Sequence, residues 1–186
     1  MKKEKYALLV IDMQLVAFDG KITPPIDNGS QLIENVSKLI EICRTARVPI
    51  VFLQTCAHSG QPYAKNVHGW EIHDKLLPKP DESIVYKVNS SGFDGTNLNE
   101  VLNEIGANTL ITCGIWSEYC VTATSKSALE LGYKVTVASD GHGTVANSTE
   151  QAGQVVAAQN KYLEEQGAQA IDIMQIKVNL TSMRLQ

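Results

Sequence analysis

Six short apolar runs, alternating with stretches of helical periodicity, constrain this chain more than any other feature. The runs cover residues 6–11, 49–54, 83–86, 109–113 and 134–138, with a weaker one at 170–174. They are rich in Val, Ile and Leu and apolar at successive positions, as strands covered on both faces must be. Between them, Leu32, Ile33, Val36, Leu39, Ile40 and Cys43 recur at helical spacing, as do Leu98, Val101, Leu102 and Ile105. Further helices are predicted over 121–131 and 150–166. Gly106, Gly132 and Gly167 follow three of these segments and mark helix ends. Strand, helix, strand in repetition means right-handed crossovers and a parallel sheet with helices on both faces, a three-layer α/β/α architecture of Rossmann-like type. Residues 17–28 and 57–80 fit neither pattern. The second carries Pro62, Pro78 and Pro80 and reads as an excursion over the sheet edge or the site mouth.

Composition excludes several classes of function. The chain has 186 residues, and no repeat or Pro/Gly-rich linker divides it, so one domain over 1–186 is expected. Hydrophobic residues at 44% and charged residues at 19% exclude a disordered chain. A net charge of −4 is the wrong sign for a sequence-independent nucleic-acid binder. No window reaches the apolar length of a membrane span, and the basic start at 1–5 runs into too few apolar residues for a secretion signal. A cytoplasmic protein is expected, with its cysteines reduced. Cys43 and Cys113 read as small core residues. Cys56 and Cys120 lie just beyond strands and stay open. Gly141-His142-Gly143 lacks the spacing of a phosphate loop, and His142 reads as a solvated or locally bonded loop residue.

Ligands of open α/β sheets bind at the carboxyl ends of the strands. The first strand ends at Asp12 and Gln14, and the second at Gln54, Thr55 and Cys56. The third ends at Lys87 and Asn89, and the fourth is followed by Trp116, Glu118 and Cys120. An acid, an amine and a thiol therefore share one rim. Cys120 reads as opening a helix, where the dipole favours thiolate, so a thiol pKa below about 8.5 is expected. Asp12 can act as its base, with Lys87 orienting the carboxylate.

These residues sit in motifs that resemble the isochorismatase-like cysteine hydrolases. Ala7-Leu8-Leu9-Val10-Ile11-Asp12-Met13-Gln14 looks like the opening motif of that family, and Tyr86-Lys87-Val88-Asn89-Ser90-Ser91-Gly92-Phe93 like its lysine motif. Gly114-Ile115-Trp116-Ser117-Glu118-Tyr119-Cys120-Val121-Thr122-Ala123-Thr124 looks like its nucleophile motif. The resemblance implies a catalytic triad of Asp12, Lys87 and Cys120, a six-stranded parallel sheet in the order 3-2-1-4-5-6, and a cis peptide between Ile115 and Trp116. It also implies an oxyanion hole from the N–H groups of Trp116 and Cys120. Gln14, Phe18, Asn89, Phe93 and Tyr119 are candidates for the substrate pocket.

Nicotinamidases of the family bind a metal through an Asp-x-His pair after the second strand. Here that region reads Gln54-Thr55-Cys56-Ala57-His58, with His68 and His73 further on, so neither metal nor cofactor is expected. The expected function is cleavage of a small amide, ureido or imide-type C–N bond through a thioester, in a homo-oligomer that is a dimer or larger. A thiol redox sensor using Cys120 with Cys56, or a non-catalytic binding protein on the same scaffold, is the alternative.

Overall fold

The computed structural model describes residues 4–183, which leaves much of the basic start outside it. Six parallel strands form one sheet: β1 (Tyr6–Ile11), β2 (Ile50–Thr55), β3 (Ser83–Lys87), β4 (Thr109–Ile115), β5 (Lys134–Gly143) and β6 (Gln169–Ile171). Their spatial order is β3-β2-β1-β4-β5-β6, as expected. The helices are α1 (Gly29–Ala46), α2 (Leu98–Ile105), α3 (Thr122–Glu130), α4 (Ala152–Glu165) and α5 (Ile173–Met183).

β1 shows why the apolar runs are continuous. Leu8 and Val10 face a core that includes Leu32, Val36, Leu39 and Ile40 of α1 and Ile173, Ile176 and Leu180 of α5. Ala7, Leu9 and Ile11 face the opposite core, with Leu98 and Leu102 of α2, Ala128 of α3 and Leu163 of α4. Alternate side chains leave opposite faces of a strand, so a sheet covered twice needs apolar residues at every position. The glycines expected at helix ends stand there with positive φ at 106, 132 and 167.

Two expectations about element ends are corrected. The last apolar run, read as a strand over 170–174, stops pairing at Ile171, and a helix begins at Ile173. Asp172 accounts for the switch: its carboxylate accepts from the Gln175 N–H at 2.7 Å, a side-chain cap on a helix start. Ile173, Ile176 and Leu180 are buried at helical spacing behind it. β5 runs five residues beyond its predicted end at 138. Its register against β4 shifts between the pairs Thr112–Val137 and Gly114–His142, which places three extra residues in β5. His142 is thereby buried on a strand instead of lying in a solvated loop.

The irregular segments close over the carboxyl ends of the strands. The 57–80 excursion pairs Ile72 with Gln14 and Ala64 with Ala57, and the N–H of Val16 donates to Gly69 O at 2.8 Å. It forms a wall over the end of β1.

Candidate active site

The order reversal in the sheet falls between β1 and β4, and the site is built there. Asp12 follows β1 with a left-handed backbone (φ 53°), a conformation that aspartate tolerates better than most residues. Across the reversal Gly114 pairs with Ile11. At Gly114 φ is 120°, and a Cβ there would meet Ile11 O at 2.0 Å, so the two backbones approach more closely than any side chain permits. The Ile115–Trp116 peptide is cis. A π-helical turn, Ser117–Val121, then leads into α3. Cys120 therefore lies inside that turn, and the helical segment opens three residues before the expected start.

Asp12, Lys87 and Cys120 converge. Lys87 is 2% exposed and Asp12 1% exposed, and Lys87 Nζ lies 2.8 Å from Asp12 Oδ2. That approach is off hydrogen-bond alignment, so Asp12 Oδ2 has no aligned donor among the described residues. Lys87 Nζ also donates to Thr55 Oγ1 at 3.0 Å, Asn89 O at 3.1 Å and Cys120 Sγ at 3.3 Å. Thr55 Oγ1 in turn donates to Asp12 Oδ1 at 2.9 Å. Burial favours neutral lysine, but the Asp12 carboxylate and the Cys120 sulfur outweigh it and raise the Lys87 pKa.

The thiol behaves opposite to expectation. Burial first, and the adjacent Asp12 charge second, push Cys120 up to about 12, against the smaller pull of Lys87. The positive helix end was expected to dominate, yet desolvation of a half-buried sulfur beside a carboxylate is the larger effect. In the resting site the proton stays on sulfur.

These groups line a cavity of about 130 Å³ together with Tyr63, Val88, Ser90 and Trp116. Larger clefts exist, among them one of about 440 Å³ between α1 and α5, but its lining, which includes Lys38, Glu41 and Ile42, brings no thiol or imidazole together with an acid. Chemistry, not size, selects the smaller cavity.

Of the pocket candidates, Asn89 lines the cavity and four others do not. Gln14 is a buried strut: its amide accepts from Thr55 N at 2.9 Å and donates to Thr55 O at 3.1 Å and Trp70 O at 2.7 Å. Phe18 meets His73 edge-on with centroids 5.6 Å apart, and Phe93 packs on Tyr133 at 6.0 Å. Tyr119 is 60% exposed. Sequence reasoning missed Thr55 as a bridge and Tyr63 altogether. Thr55 had a signal, because it ends β2 in register with Lys87. Tyr63 had none, being one tyrosine in an irregular segment.

The pair Cys56 and His58 does not form a ligand set here. His58 is exposed, and among the described residues no three His, Cys, Asp or Glu side chains gather as a metal site would require. Cys56 does not line the cavity, and all four cysteines are free.

Outside the cavity, a buried polar cluster braces the π turn. His142 Nδ1 lies 2.9 Å from Ser117 Oγ and Nε2 lies 2.9 Å from Asn160 Oδ1. Asn160 donates its amide to Ser139 O at 3.1 Å, which leaves Oδ1 as an acceptor. His142 therefore carries its proton on Nε2, and Ser117 donates to Nδ1.

Comparison with known proteins agrees with this geometry. The isochorismatase domain profile matches residues 6–172. Streptothricin hydrolase of Streptomyces noursei is 36% identical over 138 residues, 74% of this chain and 49% of that protein. The chain thus spans about half the length of that relative. Ureidoacrylate amidohydrolase RutB of Pseudomonas syringae pv. syringae (strain B728a) is 28% identical over 199 residues, covering 86% of this chain and 76% of that protein. The crystal structure of N-carbamoylsarcosine amidase from Thermoplasma acidophilum superposes with a TM-score of 0.77 at 25% identity, covering 91% of this chain and 96% of the other. With its sheet order, its switch-point site and a profile match across most of its length, the chain belongs to the isochorismatase domain family.

Proposed function

We propose that this protein is a cysteine amidohydrolase that cleaves a small amide, ureido or imide-type C–N bond, with Asp12, Lys87 and Cys120 as its catalytic residues. One observation carries the reading: a single ammonium, Lys87 Nζ, touches both the Asp12 carboxylate and the Cys120 sulfur in a small cavity at the switch point. The relatives named amidohydrolase and amidase support amide chemistry, and the streptothricin hydrolase supports hydrolysis.

The chemistry follows from the charges. The thiol is protonated at rest, so Asp12 takes its proton as sulfur attacks the carbonyl carbon. Lys87 stays charged and stabilises both the carboxylate and the developing thiolate. The N–H groups of Trp116 and Cys120 hold the oxyanion. Protonated Asp12 then gives its proton to the departing ammonia or amine, which leaves a thioester on Cys120. Asp12, ionised again, takes a proton from water as the oxygen attacks the thioester; the acid is released, and Asp12 passes that proton to the departing sulfur to restore the thiol.

The setting is cytoplasmic, where thiols stay reduced, and assembly is a homo-oligomer. Ile84, Tyr86 and Val88, exposed at alternate positions along edge strand β3 and just beyond it, support assembly. Among the described residues, no helix is long and apolar enough to cross a membrane.

The test is mass spectrometry and ammonia release with a panel of small amides and ureas. Cys120→Ala and Cys120→Ser should abolish turnover, while Cys56→Ser keeps most of it and the wild type accumulates an acyl adduct on Cys120. Turnover that depends on Cys56, or a peroxide-driven Cys56–Cys120 disulfide with no amide turned over, would overturn the assignment.

A further inference from the structure

Of the polar groups lining the cavity that the proposed chemistry does not use, Tyr63 stands out by a buried hydroxyl. Tyr63 has a positive φ of 67° and is held by the bridge between Ala57 and buried Ala64, next to it in sequence. Its hydroxyl is buried and has no hydrogen-bond partner among the described residues. The Trp116 indole N–H acts on the same oxygen from nearby, and as a donor it leaves the hydroxyl proton unused. A buried donor without an acceptor costs roughly 1–3 kcal/mol, so such a group persists where something else satisfies it.

The rest of the cavity restricts what that acceptor can be. Among the described residues that line it Lys87 is the only cation, and its three protons are taken by Thr55 Oγ1, Asn89 O and Cys120 Sγ, with Asp12 Oδ2 paired to it by charge at 2.8 Å. The Asp12 and Lys87 charges cancel, and the thiol is neutral at rest. A carboxylate entering the cavity would find no counter-ion and would lie beside Asp12.

We infer that Tyr63 is the substrate-recognition donor of this site, giving its proton to a neutral acceptor oxygen, and that the site takes uncharged amides or ureas in preference to carboxylate-bearing ones. The inference rests on the amidohydrolase reading for the identity of the ligand, but its test does not need turnover.

Iodoacetamide and iodoacetate differ only in an amide against a carboxylate; with both, the C–S bond forms as iodide leaves, and the thiol proton passes to Asp12 in this site or to water at glutathione. Their rates at Cys120, resolved by peptide mass spectrometry, are compared with their rates at glutathione in the same tube. The ratio of amide to acid at Cys120 should exceed the glutathione ratio by about tenfold. Tyr63→Phe, which keeps the ring and removes only the hydroxyl, should slow iodoacetamide about three- to tenfold, the worth of one neutral hydrogen bond, and leave iodoacetate unchanged. A ratio at Cys120 no higher than at glutathione overturns the inference, as does a Tyr63→Phe protein in which both rates hold or fall together. On any amide that the wild type turns over, Tyr63→Phe should raise KM with kcat nearly constant. Failure of the hydrolase reading would show separately, as labelling of Cys120 that keeps this selectivity while no amide in the panel is hydrolysed.

Discussion

Thr55 and Lys87 stand opposite each other in the register of β2 and β3, and the threonine hydroxyl receives Lys87 Nζ at 3.0 Å. The same hydroxyl spends its own proton on Asp12 Oδ1 at 2.9 Å. Lys87 begins two strands from the Asp12 position, roughly 10 Å away at ordinary strand spacing. Thr55, on the strand between them, links the two ends with one hydroxyl.

Thr55→Val keeps the shape and removes the bridge. Both neighbours are charged, and hydrogen bonds to charged groups contribute about 1.5–3 kcal/mol, so amide turnover should fall about tenfold or more. Thr55→Ser should recover most of it. Steady-state kinetics on any substrate turned over by wild type decides the matter; a Val variant as active as wild type would show that Thr55 positions nothing.

Lys87→Met leaves the Asp12 carboxylate buried without its cation. Removing one partner of a buried pair typically costs about 3–5 kcal/mol, and urea denaturation should show a loss of that order. Asp12→Asn combined with Lys87→Met should be more stable than Lys87→Met alone, since no charge is then stranded. Hydrolysis should be absent from both. Equal stability of the two variants would argue that the carboxylate is not desolvated.

Cys120 should give no thiolate absorbance near 240 nm at neutral pH when wild type is compared with Cys120→Ala. The thiol pKa is about 12 in the folded chain against an ordinary value of 9, so the folded state holds this proton where the unfolded chain has lost it. Its contribution to stability is therefore complete below pH 9 and fades as the pH climbs toward about 12. Cys43, pushed by burial alone up to about 12, acts in the same sense. A thiolate band titrating near neutrality would contradict the resting state described above.

His142 supports the π turn from behind. Burial holds its pKa below the usual histidine value, against the opposing effects of Asn160 and Asp140. The unfolded chain binds this proton below about pH 6.5 while the folded chain resists it. The stability His142 contributes is thus present above that pH and lost on acidification. His142→Leu would strand Asn160 Oδ1 and Ser117 Oγ and should cost about 1–3 kcal/mol for each group left unpaired. Thermal melts from pH 7 to 5 should fall less steeply in the variant than in wild type; parallel curves would remove His142 as the titrating group.

Much of this protein is written locally. Tyr6–Ile11 is apolar at every position because it is covered twice, and Leu32 to Cys43 of α1 is apolar at helical spacing because it is covered once. Such periods depend on neighbours a few residues away, so they can be read from the chain itself. Asp12, Lys87 and Cys120 were legible because strand ends converge in any open parallel sheet. The resemblance in their motifs then supplied the order of the strands.

What the tertiary structure decided depends on partners distant in sequence. Gln14 turned from a pocket candidate into a strut because Thr55 and Trp70 come to meet it. His142 was drawn into the core by three extra residues in β5 that no local pattern marks. The proton on Cys120 is set by burial and by Asp12, 108 positions away in sequence, both of which outweigh the helix end beside it. Tyr63 reaches the cavity only because the 57–80 excursion folds back over the strand ends. Local periodicity fixes which elements form; desolvation and hydrogen-bond satisfaction are properties of the assembled interior, and they decide what each polar side chain does there.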